Sequence, residues 1–386
     1  MSIITVLLLL YIITKPFYLW ASGLPQISDI ILAVAFAFTF LTYRPKVIGN
    51  IIRQNIHFFI FLIFVIVINL LYSIYYADID FNMKSLYYIF DALGIIVFSI
   101  FFENNQSSKK ILRTGFAIAL IMQLVMFFTP FGRYYGGTRY MGSFNDPNQF
   151  AYFCLLSYSF IYLLTSSKNR INSSNFLFLL ITVYLIFQSS STGMLLGASI
   201  FIVLFLANIV KTIVNKPKKY LPYIFSIIIL AIPIVCVISV IPATNGYMDR
   251  IVNSQIFSRI KEKTVQASGQ ANASLWEERG YDRMQYYPQY IIYGAGEGQY
   301  ERFEKAYQHL EFHATLPSIL FCYGILPFFF ILKWGYRRIK SLKLETLSIY
   351  ISLILESFTL INSRQVLFWA IFCLAGLIAK EQYENK

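Results

Sequence analysis

Charge is scarce in this chain. Only 13% of its 386 residues are Asp, Glu, Lys or Arg, against roughly 25% in soluble domains, which excludes an ordinary soluble enzyme. Cysteine is scarce too. Cys154, Cys236, Cys322 and Cys373 are the four, each inside an apolar run and none in a CxxC or CxxxH spacing. They read as small core or lipid-facing residues, not as a disulfide scaffold or a thiolate metal site. Acids are outnumbered by bases, 19 to 32, for a net charge of +13. No internal repeat, low-complexity tract or Gly/Ser linker divides the sequence, so collagen-like and disordered classes are excluded as well. What remains is apolar and aromatic: 57% hydrophobic residues, 37 Phe and 29 Tyr, with a mean hydropathy of +0.59. At about 20 apolar residues per crossing, that composition means many membrane spans.

Apolar runs bounded by charges or turn residues fall at 2–20, 28–43, 56–76, 85–102, 111–129, 149–166, 175–190, 192–210, 221–241, 313–332, 345–361 and 365–380. Only Ser189, Ser190, Ser191, Thr192 and Gly193 separate the seventh run from the eighth, so a tight turn is expected there. With the N-terminus inside, 19 of the 32 basic residues lie in short inner loops or at the end, five in short outer segments and eight in the long loop 242–312. Long loops are largely exempt from the positive-inside rule. The basic excess is thereby explained without nucleic acid. The first run lacks a basic leader and a small-x-small cleavage site before Gly23, and reads as a retained span. The expectation is an all-α polytopic membrane protein of about 12 transmembrane helices, N-in and C-in. It forms a single integral membrane domain, 1–386, with one large helical extracytoplasmic loop, 242–312.

That loop is where chemistry is sought. Arg279 and Arg283 are four apart. A helix over 275–287, ended by Pro288, puts both guanidinium groups on one face, which suits a phosphate or diphosphate as well as a solvated basic face. Gly294-Ala295-Gly296-Glu297-Gly298 is either a flexible turn or an anion-binding set of backbone N–H groups. Phe303, Tyr307 and Leu310 recur at helical spacing, so 299–313 is expected to form an amphipathic helix. His309 and His313 stand four apart with Glu311 between them, but no third ligand is evident and no metal is expected. His313 lies where the chain re-enters the bilayer, as a general base or as a hydrogen-bonded interfacial residue. Upstream, 133–150 gathers Arg133, Arg139, three Tyr, Asn145, Asp146 and Asn148. Asp146-Pro147 is a good helix start, while the amides and aromatics suit sugar rings. Asp91 and Glu356 are acids inside spans, candidates for a proton path or for pairing between helices.

The ordered pattern Gly142-Ser-Phe-Asn-Asp146-Pro147-Asn148-x-Phe150-Ala151, Ser189-Ser-Ser-Thr-Gly193, Arg283 with Gly294 and Gly296 downstream, then Glu311-x-His313 and Gly324 resembles bacterial O-antigen polymerases and O-antigen ligases. The match covers roughly 110–335; the first hundred residues are similar only in hydropathy. The resemblance implies a metal-independent, cofactor-free glycosyltransferase acting on undecaprenyl-diphosphate-linked oligosaccharide at the outer face of the bacterial inner membrane. A chain-length regulator and a flippase are the companions it implies. It implies that Arg283 holds the diphosphate and that His313, oriented by Glu311, assists the acceptor hydroxyl. Arg279, Arg139 and Arg364 are further phosphate candidates, and Asn145, Asp146, Asn148 and His309 line the substrate side. The ten residues between Arg283 and Gly294 match a spacing described in polymerases, and Ala314-Thr315 stand where ligases often carry Asn. Both features favour a polymerase over a ligase. A glycan transporter is the rival of another class, expected to show repeats and midplane charges.

Overall fold

The computed structural model describes residues 2–21, 23–104, 108–166, 170, 172–215, 255–268 and 273–384. The run expected as a span at 221–241, with Cys236 and the loop segment 242–254, lies outside them. Among the described residues the chain is mostly helical. In order the helices are α1 (Ile3–Thr14), α2 (Ile27–Thr42), α3 (Pro45–Gln54), α4 (Ile56–Tyr76), α5 (Asp80–Asn104), α6 (Ser108–Phe127), α7 (Pro147–Leu163), α8 (Ser173–Ser189), α9 (Thr192–Asn215), α10 (Gln255–Ala267), α11 (Leu275–Glu278), α12 (Arg283–Tyr286), α13 (Tyr290–Tyr293), α14 (Thr315–Tyr323), α15 (Ile325–Ile339), α16 (Leu344–Glu356) and α17 (Val366–Glu384).

Local sequence sets several of these boundaries. Asp146 caps α7, its carboxylate accepting from the Asn148 and Gln149 amides, with Pro147 at the first helical position. Gln26 and Asp29 form a reciprocal box at the start of α2. The expected tight turn between α8 and α9 is present, with Ser190 in the left-handed region at φ 52°. Three described helices are long and apolar enough to cross a bilayer: Ile56–Tyr76, Asp80–Glu103 and Lys109–Phe127. The pair α2 and α3, bent by 118°, makes a fourth if taken as one span. Shorter apolar helices, among them α1 and α8, accompany them.

Three expectations need correction. The chain is not wholly α, because β1 (Arg133–Tyr135) pairs antiparallel with β2 (Arg139–Gly142), turned by Gly136 and Gly137 at φ 59° and 74°. The run 313–332 is two helices, broken at Gly324. The amides of Ala295 and Gly296 donate to the carbonyls of Phe321 and Cys322 at 3.0 and 2.8 Å, so the last turn of α14 is claimed by the incoming loop, and Gly324 turns at φ 80°. The long loop holds neither expected helix. Gly280 at φ 77° separates α11 from α12, and 299–313 contains one short 3-10 turn, Tyr300–Arg302. There Phe303 is buried, but Tyr307 and Leu310 stay 52% and 63% exposed. No common apolar face is covered, and the carbonyls of Gln308 and Leu310 are taken by a side chain.

Helices pack as neighbours in a bundle, α1 on α2 and α6, α4 on α5 and α15, α5 on α17, α7 on α8, and α9 on α16. One end carries the loop contacts: Asn145 to the Trp20 carbonyl, Arg139 to the Ser189 carbonyl, Tyr72 to the Gly294 carbonyl, and Thr315 to the Leu360 carbonyl. Elsewhere Arg170 pairs with Glu345 at 3.3 Å, and Trp334 and Arg338 donate to Asn55.

The two glycines of the turn, Gly294 and Gly296, leave no room for a side chain. A Cβ on Gly294 would sit 2.7 Å from the Cys322 carbonyl oxygen while holding φ at 84°. Gly294→Ala is therefore expected to cost at least about 2 kcal/mol, read as a lower thermal midpoint of the purified protein; an unchanged midpoint contradicts the packing described.

Candidate functional site

The loop end of the bundle collects a cluster of arginines and carboxylates. At its centre Arg364, on the link between α16 and α17, directs Nη2 to Glu297 Oε1 at 2.5 Å and to Glu311 Oε2 at 2.7 Å. Glu297 is 1% exposed. Its Oε2 accepts from the Tyr323 hydroxyl at 2.6 Å, and its backbone N–H donates to Asn69 Oδ1 at 2.9 Å. Asn69 in turn reaches Ser85 and Tyr323, so residues from α4, α5, α14 and two loops meet around one carboxylate. Desolvation disfavours the Arg364 cation, yet Glu297 and Glu311 outweigh it and hold its pKa well above the usual guanidinium value. For Glu311 burial also disfavours the charge, and Arg364 prevails, leaving the carboxyl below its ordinary pKa.

Arg283 is fully buried, at 0% exposed. Its Nη2 donates to the Gln308 and Leu310 carbonyls, and its guanidinium lies 5.0 Å from the Phe312 ring centre and 5.2 Å from that of Tyr300. Burial lowers its pKa. Arg302 sits among the rings of Tyr72, Tyr76, Phe81 and Phe303 and donates to the carbonyls of Ala295 and Gly296. The segment 303–313 is strapped to 279–287 along its length: Lys305 N–H to the Tyr287 hydroxyl, Tyr307 N–H to Asp282, and His313 N–H to the Arg279 carbonyl.

Donors outnumber acceptors here. Nε and Nη1 of Arg283, the same two nitrogens of Arg302, and Nε of Arg364 are buried with no partner among the described residues. The arginines share neighbours in pairs, Arg283 and Arg302 at Cys322, and Arg283 and Arg364 at Tyr300. A buried N–H without an acceptor costs about 1–3 kcal/mol, and an oxyanion is the strongest acceptor for a guanidinium N–H.

His313 stands at the exposed rim, in the loop before α14. Partial desolvation lowers its pKa below the usual imidazole value, Arg279 and Arg283 push the same way, and Glu311 and Asp146 oppose them. Glu311, Arg279, Arg283 and Asp146 are thus each within electrostatic reach of His313. Arg279 is tied by Nη1 to the carbonyls of His313 and Thr359. Glu311 is paired with Arg364, so its hydrogen bond goes there and its effect on His313 is through charge alone.

The other sequence candidates divide. Arg139 is buried, spanning from Asn148 Oδ1 at 3.1 Å to the Ser189 carbonyl, with its pKa lowered by burial. Asn145 bridges Arg133 at 2.9 Å and the Trp20 carbonyl at 2.8 Å. Asn145 thus ties β1 to the segment after α1, and Arg139 ties β2 to Asn148 of α7 and to the end of α8. His309 is exposed and takes no part in the cluster's hydrogen bonds and ion pairs among the described residues. Asp91 and Glu356 are buried between helices, Asp91 facing the Trp369 indole and Glu356 accepting from the Gly197 amide. Of the two readings of Gly294–Gly298, a turn or an anion-binding set of N–H groups, the second loses four of its donors: the amides of Gly294, Ala295, Gly296 and Glu297 are all donated to protein acceptors. Sequence reasoning missed Glu297 as the partner of Arg364, and Arg302 with its aromatic surround. The one available signal was an acid inside a glycine-rich turn. Among the described residues no group of three or more His, Cys, Asp or Glu is placed to hold a metal. No protein-family model and no curated protein sequence matches this chain.

Proposed function

We propose that this chain is a polymerase of lipid-linked surface polysaccharide in the bacterial inner membrane. It has about twelve spans, both termini inside and the arginine cluster facing outward, and it moves a growing glycan from undecaprenyl diphosphate to a sugar hydroxyl of the next repeat. The observation that carries the reading is the set of five buried guanidinium nitrogens that have no acceptor among the described residues, on Arg283, Arg302 and Arg364, together with an imidazole, that of His313, whose pKa is lowered by desolvation. A diphosphate leaving group and a hydroxyl nucleophile need those two things.

In the reaction the acceptor oxygen attacks the anomeric carbon and the bond from that carbon to the phosphate oxygen breaks. The electron pair leaves with the diphosphate, and His313 takes the hydroxyl proton. The arginines act on the charge gathering at the diphosphate, most strongly where water is excluded. Arg283 has a second task. By gripping the Gln308 and Leu310 carbonyls it fixes the segment that carries Glu311 and His313. The Thr315 hydroxyl is committed to the Leu360 carbonyl and the Asn362 amide, which ties the start of α14 to the link between α16 and α17.

The test is the glycan ladder of cells lacking the gene, complemented by wild type or by Arg283→Ala. Single repeats on the core with no ladder are expected for the deletion and for Arg283→Ala. Long lipid-linked chains with nothing on the core would mean ligase, and repeats trapped on the inner side would mean a transporter.

A further inference from the structure

The end of the bundle away from the arginine cluster carries a different feature. Helix α4 joins the two ends: Tyr72 reaches the Gly294 carbonyl, and His57, some 15 residues earlier, lies about 22 Å down the helix. At that far end α3 turns off α2 by 118° and lays Ile51 on Ile96 and Ile100 of α5, leaving Lys46 and Arg53 exposed. An amphipathic helix of this kind lies along the membrane surface. The last turns of α15 meet it there. Trp334 and Arg338 face inward and donate to Asn55, at the corner between α3 and α4. Phe329, Lys333 and Arg337, four apart, form the outer face. A guanidinium only donates, so Arg337 Nη1 gives its hydrogen bond to His57 Nδ1, at 3.4 Å. Lys333 acts on the same imidazole from its place over the Phe329 ring.

These bases have no acid to answer them. Segments 44–77 and 312–344 contain no Asp or Glu, and Lys333 and Arg337 make no ion pair among the described residues. Beside the cations the surface is ring and hydrocarbon. The His57 ring lies 6.2 Å from that of Phe330, which stacks on Phe64 at 6.1 Å, and Ile56, Ile63, Phe329 and Leu332 are exposed. Two cations above an apolar face match a molecule with a phosphate at one end and hydrocarbon below it. A soluble phosphate would leave the rings unused, and the ammonium of a zwitterionic headgroup would meet cations with no carboxylate beside them. We propose that this corner binds an acidic phospholipid of the leaflet it faces, with Arg337 and Lys333 on the phosphate and the first acyl segment on Phe330 and Phe64. The lipid then joins α4 to α15 beside the surface helix α3. The inference needs the membrane spans of the reading above and none of its glycan chemistry.

The test titrates the full chain, delipidated in a nonionic detergent, with phosphatidylglycerol or with phosphatidylcholine, and counts bound lipids by native mass spectrometry. The first phosphatidylglycerol is expected to bind at least about tenfold more tightly than the first phosphatidylcholine, a difference of about 1.4 kcal/mol. Lys333→Gln with Arg337→Gln, both at exposed positions, is expected to bring the two lipids level at an unchanged thermal midpoint in detergent alone. Should the pair not fold, Arg337→Gln alone is read instead and is expected to weaken phosphatidylglycerol and spare phosphatidylcholine. Lys109→Gln with Lys110→Gln removes the same charge from the start of α6 and is expected to keep the preference. Equal binding of the two lipids, a preference that survives in the α15 variants, an equal loss in the α6 pair, or displacement of phosphatidylglycerol by inorganic phosphate overturns the proposal. No glycan enters the experiment. Polymer made by a protein without the preference leaves the polymerase reading standing, and a lipid preference in a protein that makes no polymer leaves this site standing without that reading.

Discussion

Arg364→Ala is expected to lower stability by roughly 3–5 kcal/mol, the cost of leaving one member of a buried pair uncompensated, and to abolish polymer formation. Glu297 is the member left behind. With Arg364 gone its carboxylate keeps, among the described residues, only the Tyr323 hydroxyl, in a site where it is 1% exposed. The double variant Arg364→Ala with Glu297→Gln removes the orphaned charge, so most of the lost thermal midpoint should return while activity does not. That split separates a framework effect from a chemical one. A single Arg364→Ala variant with a normal midpoint would show that the pair is not buried as described, and full activity would remove the cluster from the reaction.

His313→Ala is expected to lower turnover by about 10²–10⁴, the usual contribution of a positioned general base, with the fold intact because the side chain stands at the exposed rim. The pH dependence gives a sharper readout. A base whose pKa is lowered is protonated only at lower pH, so the wild-type rate should be flat through neutrality. Its acid limb should have a midpoint below about 6.5, the unperturbed imidazole value. Partial desolvation is the largest cause and the Glu311 carboxylate opposes it, so Glu311→Gln should move the acid limb to still lower pH. A limb that stays in place in Glu311→Gln, or that persists in His313→Ala, would assign the titrating group elsewhere.

Much of the helical framework was legible in the residues because its signals are local. The 56–76 run is α4 to the residue, since apolar side chains fill it and Ala77, at φ 53°, ends it. Asp146-Pro147 starts α7 as a cap and a first-turn proline should. The loop was read less well, and for one physical reason. Phe303, Tyr307 and Leu310 have helical spacing, but a helix there needs the carbonyls of Gln308 and Leu310, and Arg283, some 25 residues upstream, takes them instead. Periodicity reports an apolar face only when that face is covered, and here Phe303 alone packs inward, against Tyr290 and Phe321. Arg364 and Glu297 are 67 residues apart, so no spacing rule could join them. Arg283, Arg364, His313 and Glu311 were nameable as types, and Arg302 was not. Which nitrogens are committed to carbonyls, and which are left over, is a property of the packed loop.

The most direct measurement is glycosyl transfer by the purified protein in nanodiscs, given a single lipid-diphosphate-linked repeat and a metal chelator, with products resolved by size. A series of lengthening lipid-linked oligomers, lost in His313→Ala and Arg364→Ala, is the result expected here. A single repeat that stays unextended by wild-type protein, with or without added metal, would contradict it.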